Sequence, residues 1–297
     1  MTRFNKFFFK NSSGKIFVNS GACPQGQGHE TTFAQLLGEH LGVDPLSVIV
    51  VQGDSDRLPP RGASTGGSQS LQCAGTTIMR AADCLVEQLL FHAAEALEAA
   101  YEDIQYKSGF FSVTGTDIGI GIGELGVVVR ESTPEACIAT AEFEGNAASI
   151  PNGAFVCEVE VDPDTGEVEL CRFVGVNDIG RRLNPAIVDG QLHGGIAQGI
   201  GQAWLEHVLY ERDAGQIVSG SLMDYAIPRA DHFPTLELHG ADIPTHNNPI
   251  GVKGAGELGC LGAPAAFMNA VADAIGTQEI EMPVTPERVW RALRREL

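Results

Sequence analysis

The sequence has no C-x-x-C pair among its seven cysteines, no apolar run of about 18 residues and few basic residues. Without paired cysteines it offers neither a zinc nor an iron–sulfur site, and we expect reduced thiols and a cytoplasmic location. Without a long apolar run, neither a transmembrane helix nor a signal peptide is expected. The 19 basic and 38 acidic residues give a net charge of −19, which argues against nucleic acid and anionic membranes as partners.

Glycine, by contrast, is in excess, with 36 residues against a usual share of about 7%. The glycines follow no repeat period and cluster between apolar segments, which a disordered linker would lack. At 297 residues and 43% hydrophobic content, the chain is long enough for one large domain or two lobes with a core. Gly-rich loops on a packed scaffold are typical of proteins whose backbone approaches a large ligand closely.

Hydrophobic periodicity predicts an α+β fold, with mixed sheets and packed helices in two lobes, 14–150 and 151–297, after an irregular N-terminus of residues 1–13. Strands are expected near 15–19, 47–51, 154–161, 167–176 and 236–239, with short strands within 106–123. Helices are expected over 30–41, 71–101, 185–206, 263–275 and 286–297. Residues 119–123 are interpreted as a loop, because no βαβ unit surrounds their glycines.

Three Gly-rich segments next to predicted helices suggest a binding site. Residues 25–29 place amides and backbone N–H groups before a helix, which suits a phosphate or another anion. Residues 66–70 repeat the arrangement with two serines and a glutamine, and residues 248–262 contain only two charges. Each segment alone is a structural turn as readily as a binding loop, but together they indicate a large, phosphate-bearing ligand.

The two charges of the third segment are Lys253 and Glu257, and their neighbours are small or apolar. Because desolvation raises the pKa of a carboxyl group toward the working range of a general base, Glu257 is a candidate base. The alternative is a tight connector in which Glu257 is solvated or paired with Lys253.

The predicted helix 185–206 contains five glycines, at positions 190, 194, 195, 199 and 201. In a helix each costs roughly 1 kcal/mol relative to alanine. Close packing or the approach of a ligand is therefore expected to offset this cost.

Four motifs occur in order between Gly14 and Ala292: Gln25-Gly-Gln-Gly-His-Glu-Thr-Thr32, Gly66-Gly-Ser-Gln-Ser70, Asn184-Pro…Asp189-Gly-Gln191…Ala197-Gln-Gly-Ile-Gly201 and Gly251-Val-Lys-Gly-Ala-Gly-Glu257. As an ordered set they resemble the molybdenum-binding subunit of the xanthine dehydrogenase/aldehyde oxidase family. The match is to the C-terminal half of that large subunit, and it implies the fold of a molybdenum-hydroxylase molybdopterin-binding region.

The resemblance implies molybdopterin with molybdenum as the cofactor, the cytosine dinucleotide being one candidate form. A pterin dithiolene holds the metal, so no protein metal ligand is implied. Cofactor contacts are implied for Gln25, Gly26, Gln27, Gly28, His29, Thr32, Gly67, Ser68, Gln69, Ser70, Gln191 and Lys253. Glu257 matches the family's catalytic glutamate, which takes a proton from a water-derived hydroxyl on the metal. The implied reaction hydroxylates an aldehyde or an N-heterocyclic carbon of a small-molecule substrate.

Partners follow from the same resemblance. Iron–sulfur and flavin (FAD) subunits would receive the electrons, because this chain cannot bind those cofactors itself. The N-terminal half of the molybdenum subunit is absent, so the chain is either one piece of a split subunit or a truncated remnant, inactive without the missing half. A non-catalytic cofactor-holding or assembly fragment is the alternative function, and an unrelated nucleotide-binding protein is a weaker one. The enzymatic interpretation requires Gln27, Ser68, Gln191 and Glu257 to line one cavity.

Overall fold

A computed structural model of the protein describes residues 2–9, 14–54, 56, 65–144 and 149–294. The chain divides into two compact units. Unit 1 comprises Met1–Ser149 and Pro244–Gly254, and unit 2 comprises Ile150–Ile243 and Ala255–Leu297. The sequence-based lobes, which stay a prediction, had assigned residues 244–254 to the second lobe, whereas this segment packs within unit 1.

Unit 1 is built from seven strands and three helices among its described residues. In chain order they are β1 (Thr2–Phe9), β2 (Ile16–Ser20), α1 (His29–Leu41), β3 (Val48–Val51), α2 (Thr76–Ala96), β4 (Ile104–Lys107), β5 (Phe110–Val113), β6 (Gly119–Gly121), α3 (Ile122–Ser132) and β7 (Ile138–Glu144). One sheet has the order β3-β2-β1-β7, with β2 and β3 parallel and the other pairs antiparallel. The second is the antiparallel sheet β4-β5-β6.

The core of unit 1 lies where α1 and α2 pack against the four-stranded sheet. Val18 of β2, Phe33 of α1 and Leu85 of α2 are fully buried there, and Phe111 of β5 joins the same cluster. The apolar positions of the predicted helix 30–41 therefore face the core, as their helical spacing indicated.

Two parts of unit 1 differ from the sequence-based expectation. Residues 2–9, expected to be irregular, form β1 between β2 and β7, and their phenylalanine-rich sequence has the β-propensity that this position needs. Met1 and residues 10–13 lie outside the described residues. Residues 119–121 form β6 rather than a loop, because Gly119 lets the strand approach β5: its ideal Cβ position is 2.8 Å from the carbonyl oxygen of Phe111.

Unit 2 combines a three-stranded sheet with three helices among the residues described. The elements are β8 (Asn152–Val161), β9 (Val168–Asp178), α4 (Pro185–Trp204), β10 (Glu237–Gly240), α5 (Leu258–Ile275) and α6 (Pro286–Leu293). The predicted hairpin is confirmed as β8 and β9, and β10 joins β9 in parallel. Phe173, Ile196, Phe267 and Val289 are buried in its core. The predicted α+β class with mixed sheets is thereby confirmed.

Helix α5 begins at Leu258, five residues before the predicted start, and is the most apolar helix of the described chain. By length and composition alone it could cross a membrane, although core helices of soluble proteins pass the same test. Ala263, Phe267 and Val271 are fully buried in the core of unit 2. Their burial accounts for part of the apolar composition without a membrane.

The glycines of α4 allow it to pack closely against α5. At Gly199 an ideal Cβ would lie 2.8 Å from Cδ of Pro264 and 3.0 Å from the carbonyl oxygen of Cys260. A Cβ on Gly190, by contrast, would meet no atom within 4 Å. The expected explanation by close packing is therefore confirmed at Gly199, and it does not apply at Gly190.

These two glycines make a matched pair for a stability test. Gly199→Ala is expected to destabilise unit 2 by about 1–3 kcal/mol, because its methyl group would be forced into Pro264. Gly190→Ala is expected to stabilise the protein by up to about 1 kcal/mol through helix propensity alone. Urea unfolding of both variants measures the difference, and equal effects would contradict the packing explanation.

Candidate functional site

The first Gly-rich loop of unit 1 joins β2 to α1. Gly28, at the N-cap position of α1, has φ +71° and, as a glycine, has no side chain with which to cap the helix. Gln27 braces the loop: its Oε1 accepts the Gln25 N–H at 2.5 Å, and its Nε2 donates to the Cys23 carbonyl oxygen at 3.0 Å. Both Gln25 and Gly26 are exposed. The uncapped N–H groups of a helix are suited to an anion.

Two residues predicted to bind the cofactor, His29 and Thr32, are buried and bonded within unit 1. The Nδ1 atom of His29 lies 3.2 Å from Oε1 of Gln52, and its ring stacks on Phe33 with centroids 4.7 Å apart. The Thr32 hydroxyl donates to the Gly28 carbonyl oxygen at 2.8 Å. Thr32 therefore ties the end of the loop to the helix, and His29 ties the helix to the residue after β3. Direct contact with a cofactor stays a prediction for both side chains.

The second loop reaches the first through Thr65. The Thr65 hydroxyl donates to the Cys23 carbonyl oxygen at 2.6 Å and accepts a hydrogen bond from Gln27 Nε2 at 3.4 Å. The Ser70 hydroxyl donates to the hydroxyl oxygen of Thr65 at 3.4 Å. No role was predicted for Thr65. The signal that could have indicated one is its position directly before the Gly-Gly-Ser-Gln-Ser run.

Beyond this loop the predicted long helix begins irregularly. Residues Leu71–Gly75 form a π-helical turn that leads into α2, a geometry that occurs frequently at functional sites. Within the loop, Gly67 is exposed, Gln69 is half-buried, and Ser68 has φ +52° although it is not glycine. Such strain in a non-glycine residue persists only where its surroundings impose it. Residues 57–64, which include the start of the loop, lie outside the described residues.

The surroundings of Ser68 include the third segment. An ideal Cβ on Gly254 would overlap Ser68, lying 2.5 Å from its carbonyl oxygen. The third segment is closed by buried Asn248, whose Nδ2 donates to the Val252 carbonyl oxygen at 2.8 Å and to the Ser149 hydroxyl at 3.1 Å. Only glycine fits at 254, so this contact places Lys253 beside the second loop.

Three segments therefore meet within unit 1, and the stretches of them that precede α1, precede α2 and end at Gly254 contain no carboxylate. Glu30 follows in the first turn of α1, and Glu257 of the third segment belongs to unit 2. Residues 21–29, 65–70 and 248–254 include no Asp or Glu and one Lys, in a chain whose net charge is −19. The groups that they offer are amides, hydroxyls, the N-terminus of α1 and the half-buried Lys253. This set of donors fits a phosphate-bearing cofactor, which carboxylates would repel.

Unit 2 holds the remaining two predicted residues. Gln191 is half-buried on α4, and Glu257 is exposed immediately before α5. The helices meet at this point, because an ideal Cβ on Gly259 would lie 2.8 Å from the Leu192 carbonyl oxygen. Leu192 and Leu258 share a small buried cluster. Close packing thus fixes the backbone next to both Gln191 and Glu257.

Arg182 and Asn184 hold the start of α4. Asn184 caps the helix, its Oδ1 accepting the Ile187 N–H at 3.1 Å. Arg182 donates to Asp242 at 2.7 Å and to Asp189 at 3.0 Å. Burial lowers the pKa of Arg182, but the two carboxylates outweigh it, so the pKa is raised and the guanidinium stays charged. Sequence analysis missed Arg182, which precedes the recognised motif by two positions.

The structure thus brings Gln27, Ser68 and Lys253 together through unit 1, and Gln191 and Glu257 through unit 2. A single cavity containing both sets stays a prediction. Glu257 is exposed, so the desolvation expected of a general base is not supplied by the described chain. No group of three or more His, Cys, Asp or Glu in the described ranges is placed to hold a metal ion.

The chain is similar in sequence to a family of cofactor-binding domains, and in sequence and fold to known enzyme subunits. The model of a molybdopterin cofactor-binding domain family matches residues 10–234. Two relatives from Paenarthrobacter nicotinovorans are each 36% identical: the 6-hydroxypseudooxynicotine dehydrogenase complex subunit gamma over 287 residues and the nicotine 6-hydroxylase large subunit over 295 residues. The crystal structure of quinoline 2-oxidoreductase from Pseudomonas putida 86 matches with 34% identity and a TM-score of 0.85.

The matches differ in how much of each chain they cover. They include 94%, 96% and 99% of this chain, but only 36% of each relative and 38% of the quinoline 2-oxidoreductase chain. The chain therefore spans just over a third of the length of the proteins that it matches.

The Thr65 hydroxyl gives a direct test of how the loops are joined. Thr65→Val, which keeps the shape of the side chain, is expected to cost about 1 kcal/mol of stability and to speed hydrogen exchange at residues 23–28 and 66–70. Thr65→Ser keeps the hydroxyl and should leave exchange near the wild-type rate. Hydrogen exchange followed by mass spectrometry makes the measurement, and equal rates in both variants would contradict the role of the hydroxyl.

Proposed function

The chain belongs to the molybdopterin cofactor-binding domain family, within the large subunits of the xanthine dehydrogenase/CO dehydrogenase family, and we propose that it binds the pterin cofactor of a molybdenum hydroxylase. The observation that carries the proposal is the meeting in unit 1 of three stretches, residues 21–29, 65–70 and 248–254, that contain no Asp or Glu. The chain as a whole is acidic, but in these stretches Lys253 is the one charged side chain apart from the titratable His29. This local charge is suited to a ligand with phosphate groups.

Each loop has a distinct part in holding the cofactor. The N-terminus of α1 and the ammonium group of Lys253 bind phosphate oxygens. Gln27 and Thr65 keep the first two loops at a fixed separation through their shared hydrogen bond. Ser68, Gln69 and Ser70 present hydroxyl and amide groups to the cofactor, with the cytosine dinucleotide as the proposed form. When bound, the cofactor supplies the Lewis-acid and redox chemistry of molybdenum.

Glu257 is the proposed general base, and Gln191 the proposed pterin contact in unit 2. A carboxylate oxygen of Glu257 accepts the proton of the water-derived nucleophile. The close packing of α4 and α5 fixes the backbone that carries both residues. Because Glu257 is exposed, the water-free surroundings that a base needs must come from the bound cofactor, the substrate or the rest of the large subunit.

The proposed substrate class rests on the names of the relatives. Nicotine and quinoline are both N-heterocycles, so we propose an N-heterocyclic carbon as the position hydroxylated, with an aldehyde as the second candidate. The names "complex subunit gamma" and "large subunit" describe members of multi-subunit enzymes. Electron transfer to iron–sulfur and flavin subunits in the cytoplasm is proposed on that basis.

A non-catalytic cofactor-holding fragment is the second candidate function, and one observation favours it: the chain spans 36% of each relative. Co-expression with the rest of the large subunit and with iron–sulfur and flavin subunits separates the candidates. Purified complexes containing molybdenum and pterin that turn over an N-heterocycle support the enzyme. Cofactor without turnover supports the holding fragment, and a folded complex with neither metal nor pterin would refute both.

Glu257→Gln tests the proposed base in the assembled enzyme. The amide cannot accept the proton, so kcat is expected to fall by about 100- to 10,000-fold while molybdenum and pterin content are unchanged. Glu281→Gln is the matched control, since Glu281 is also an exposed glutamate of unit 2. Metal analysis and steady-state kinetics of both variants provide the readouts, and full activity in Glu257→Gln would exclude it as the base.

Lys253→Met tests the binding of phosphate in unit 1. Loss of the single ammonium group in the three loops is expected to weaken cofactor retention about tenfold, which corresponds to roughly 1.4 kcal/mol. Lys15→Met removes an exposed lysine of the same unit and should retain the wild-type cofactor content. Pterin released from each purified variant is quantified by fluorescence. Equal retention by the two variants would remove Lys253 from the site.

A further inference from the structure

The segment of unit 2 that follows α4 has many exposed apolar side chains. Residues 207–228, which we name the exposed arm, leave eight large apolar side chains at the surface. Their exposed fractions are 51% for Val208, 44% for Leu209, 63% for Tyr210, 43% for Ile217, 56% for Val218, 75% for Leu222, 92% for Met223 and 46% for Ile227. Exposed large apolar side chains concentrated in one short segment, unlike ones scattered singly over a surface, indicate an interaction site.

The arm has defined local structure. Tyr210 and Ile217 form an antiparallel bridge, and the Val218 N–H donates to the Leu209 carbonyl oxygen at 2.8 Å. The buried Ser219 hydroxyl accepts the Leu209 N–H at 2.8 Å. Residues 209–219 are therefore held as a short hairpin by hydrogen bonds made within the arm.

The base of the arm is fixed to the end of α4. The Tyr225 hydroxyl donates to Oε2 of Glu206 at 2.6 Å. An ideal Cβ on Gly201 would lie 2.8 Å from Cγ of Pro228, so the end of the arm packs closely on the helix. A preorganised apolar projection loses little conformational entropy when a partner covers it, which favours docking.

We infer that the exposed arm is the docking surface for the part of the large subunit that lies outside these 297 residues. This inference rests on the proposed function, and it names a physical contact that the function does not require. Nearly two thirds of each relative's length is not represented in this chain. In the relatives this remaining length belongs to the same polypeptide as the matched part, so contact between the two is permanent, and permanent interfaces are the more hydrophobic class.

Charge argues against a second copy of the chain as the occupant. The arm carries Glu211, Asp213 and Asp224 around its apolar residues but only one basic residue, Arg212. Two-fold pairing through the arm would bring these acidic rims together in a protein whose net charge is −19. Iron–sulfur and flavin subunits are expected to dock through more polar surfaces, as subunits that fold separately do.

The test co-expresses the 297-residue chain with a polypeptide containing the remainder of the nicotine 6-hydroxylase large subunit of Paenarthrobacter nicotinovorans. Leu222→Asp with Met223→Asp places two charges at the most exposed part of the arm. This double variant is expected to weaken the complex by more than about tenfold, because charges in a buried apolar contact lose their hydration. Leu46→Asp is the control, since Leu46 is 82% exposed in unit 1, outside the arm.

Analytical ultracentrifugation measures the complex, and hydrogen exchange maps the contact. Support requires a one-to-one complex with wild type and Leu46→Asp, weaker binding by the double variant at an unchanged thermal midpoint, and slowed exchange within 207–228. The inference is overturned by equal binding of the double variant, by protection that omits the arm, by self-association through it, or by no complex. Molybdenum and pterin content of the wild-type assembly is measured separately, so that failure of the arm and failure of the proposed function are distinguishable.

Discussion

The approach of Gly254 to Ser68 is the contact on which the binding site of unit 1 depends. The third segment is distant in sequence from the rest of unit 1, yet it packs so closely that no Cβ fits at position 254. The contact explains why Ser68 keeps a positive φ, and it sets the position of Lys253. Because Thr65 then joins the second loop to the first, one close backbone contact and one hydroxyl determine the arrangement of all three loops.

Electrostatics gives this arrangement its selectivity. The chain has twice as many acidic as basic residues, so most of its surface repels an anion. Three stretches without Asp or Glu are therefore a local exception, and the N-terminus of α1 together with one half-buried ammonium group makes them attractive to phosphate. The acidic remainder of the chain opposes non-specific binding of larger polyanions such as nucleic acid. Unit 1 is therefore suited to small phosphate-bearing ligands.

Sequence analysis predicted the elements whose periodicity is long and regular, such as α1, α4 and the β8–β9 hairpin. It failed at β1 and β6, because strand pairing there depends on partners that are distant in sequence. The candidate loops were found because their glycines and amides are visible locally. Thr65, Asn248 and Arg182 were not, since their roles come from hydrogen bonds across 42, 99 and 60 positions. No local pattern encodes contacts of that range.

Glu257 shows how the chemistry depends on more than this chain. Its backbone is held where α4 and α5 pack through Gly195 and Gly259, so the carboxylate is positioned by a rigid contact. Its side chain nevertheless faces solvent, and a base in water gains nothing from the desolvation that tunes catalytic carboxylates. Positioning is therefore encoded within unit 2, whereas exclusion of water has to be supplied from outside it. The exposed arm belongs to the same unit, so the proposed docking surface and the proposed base are built on one scaffold.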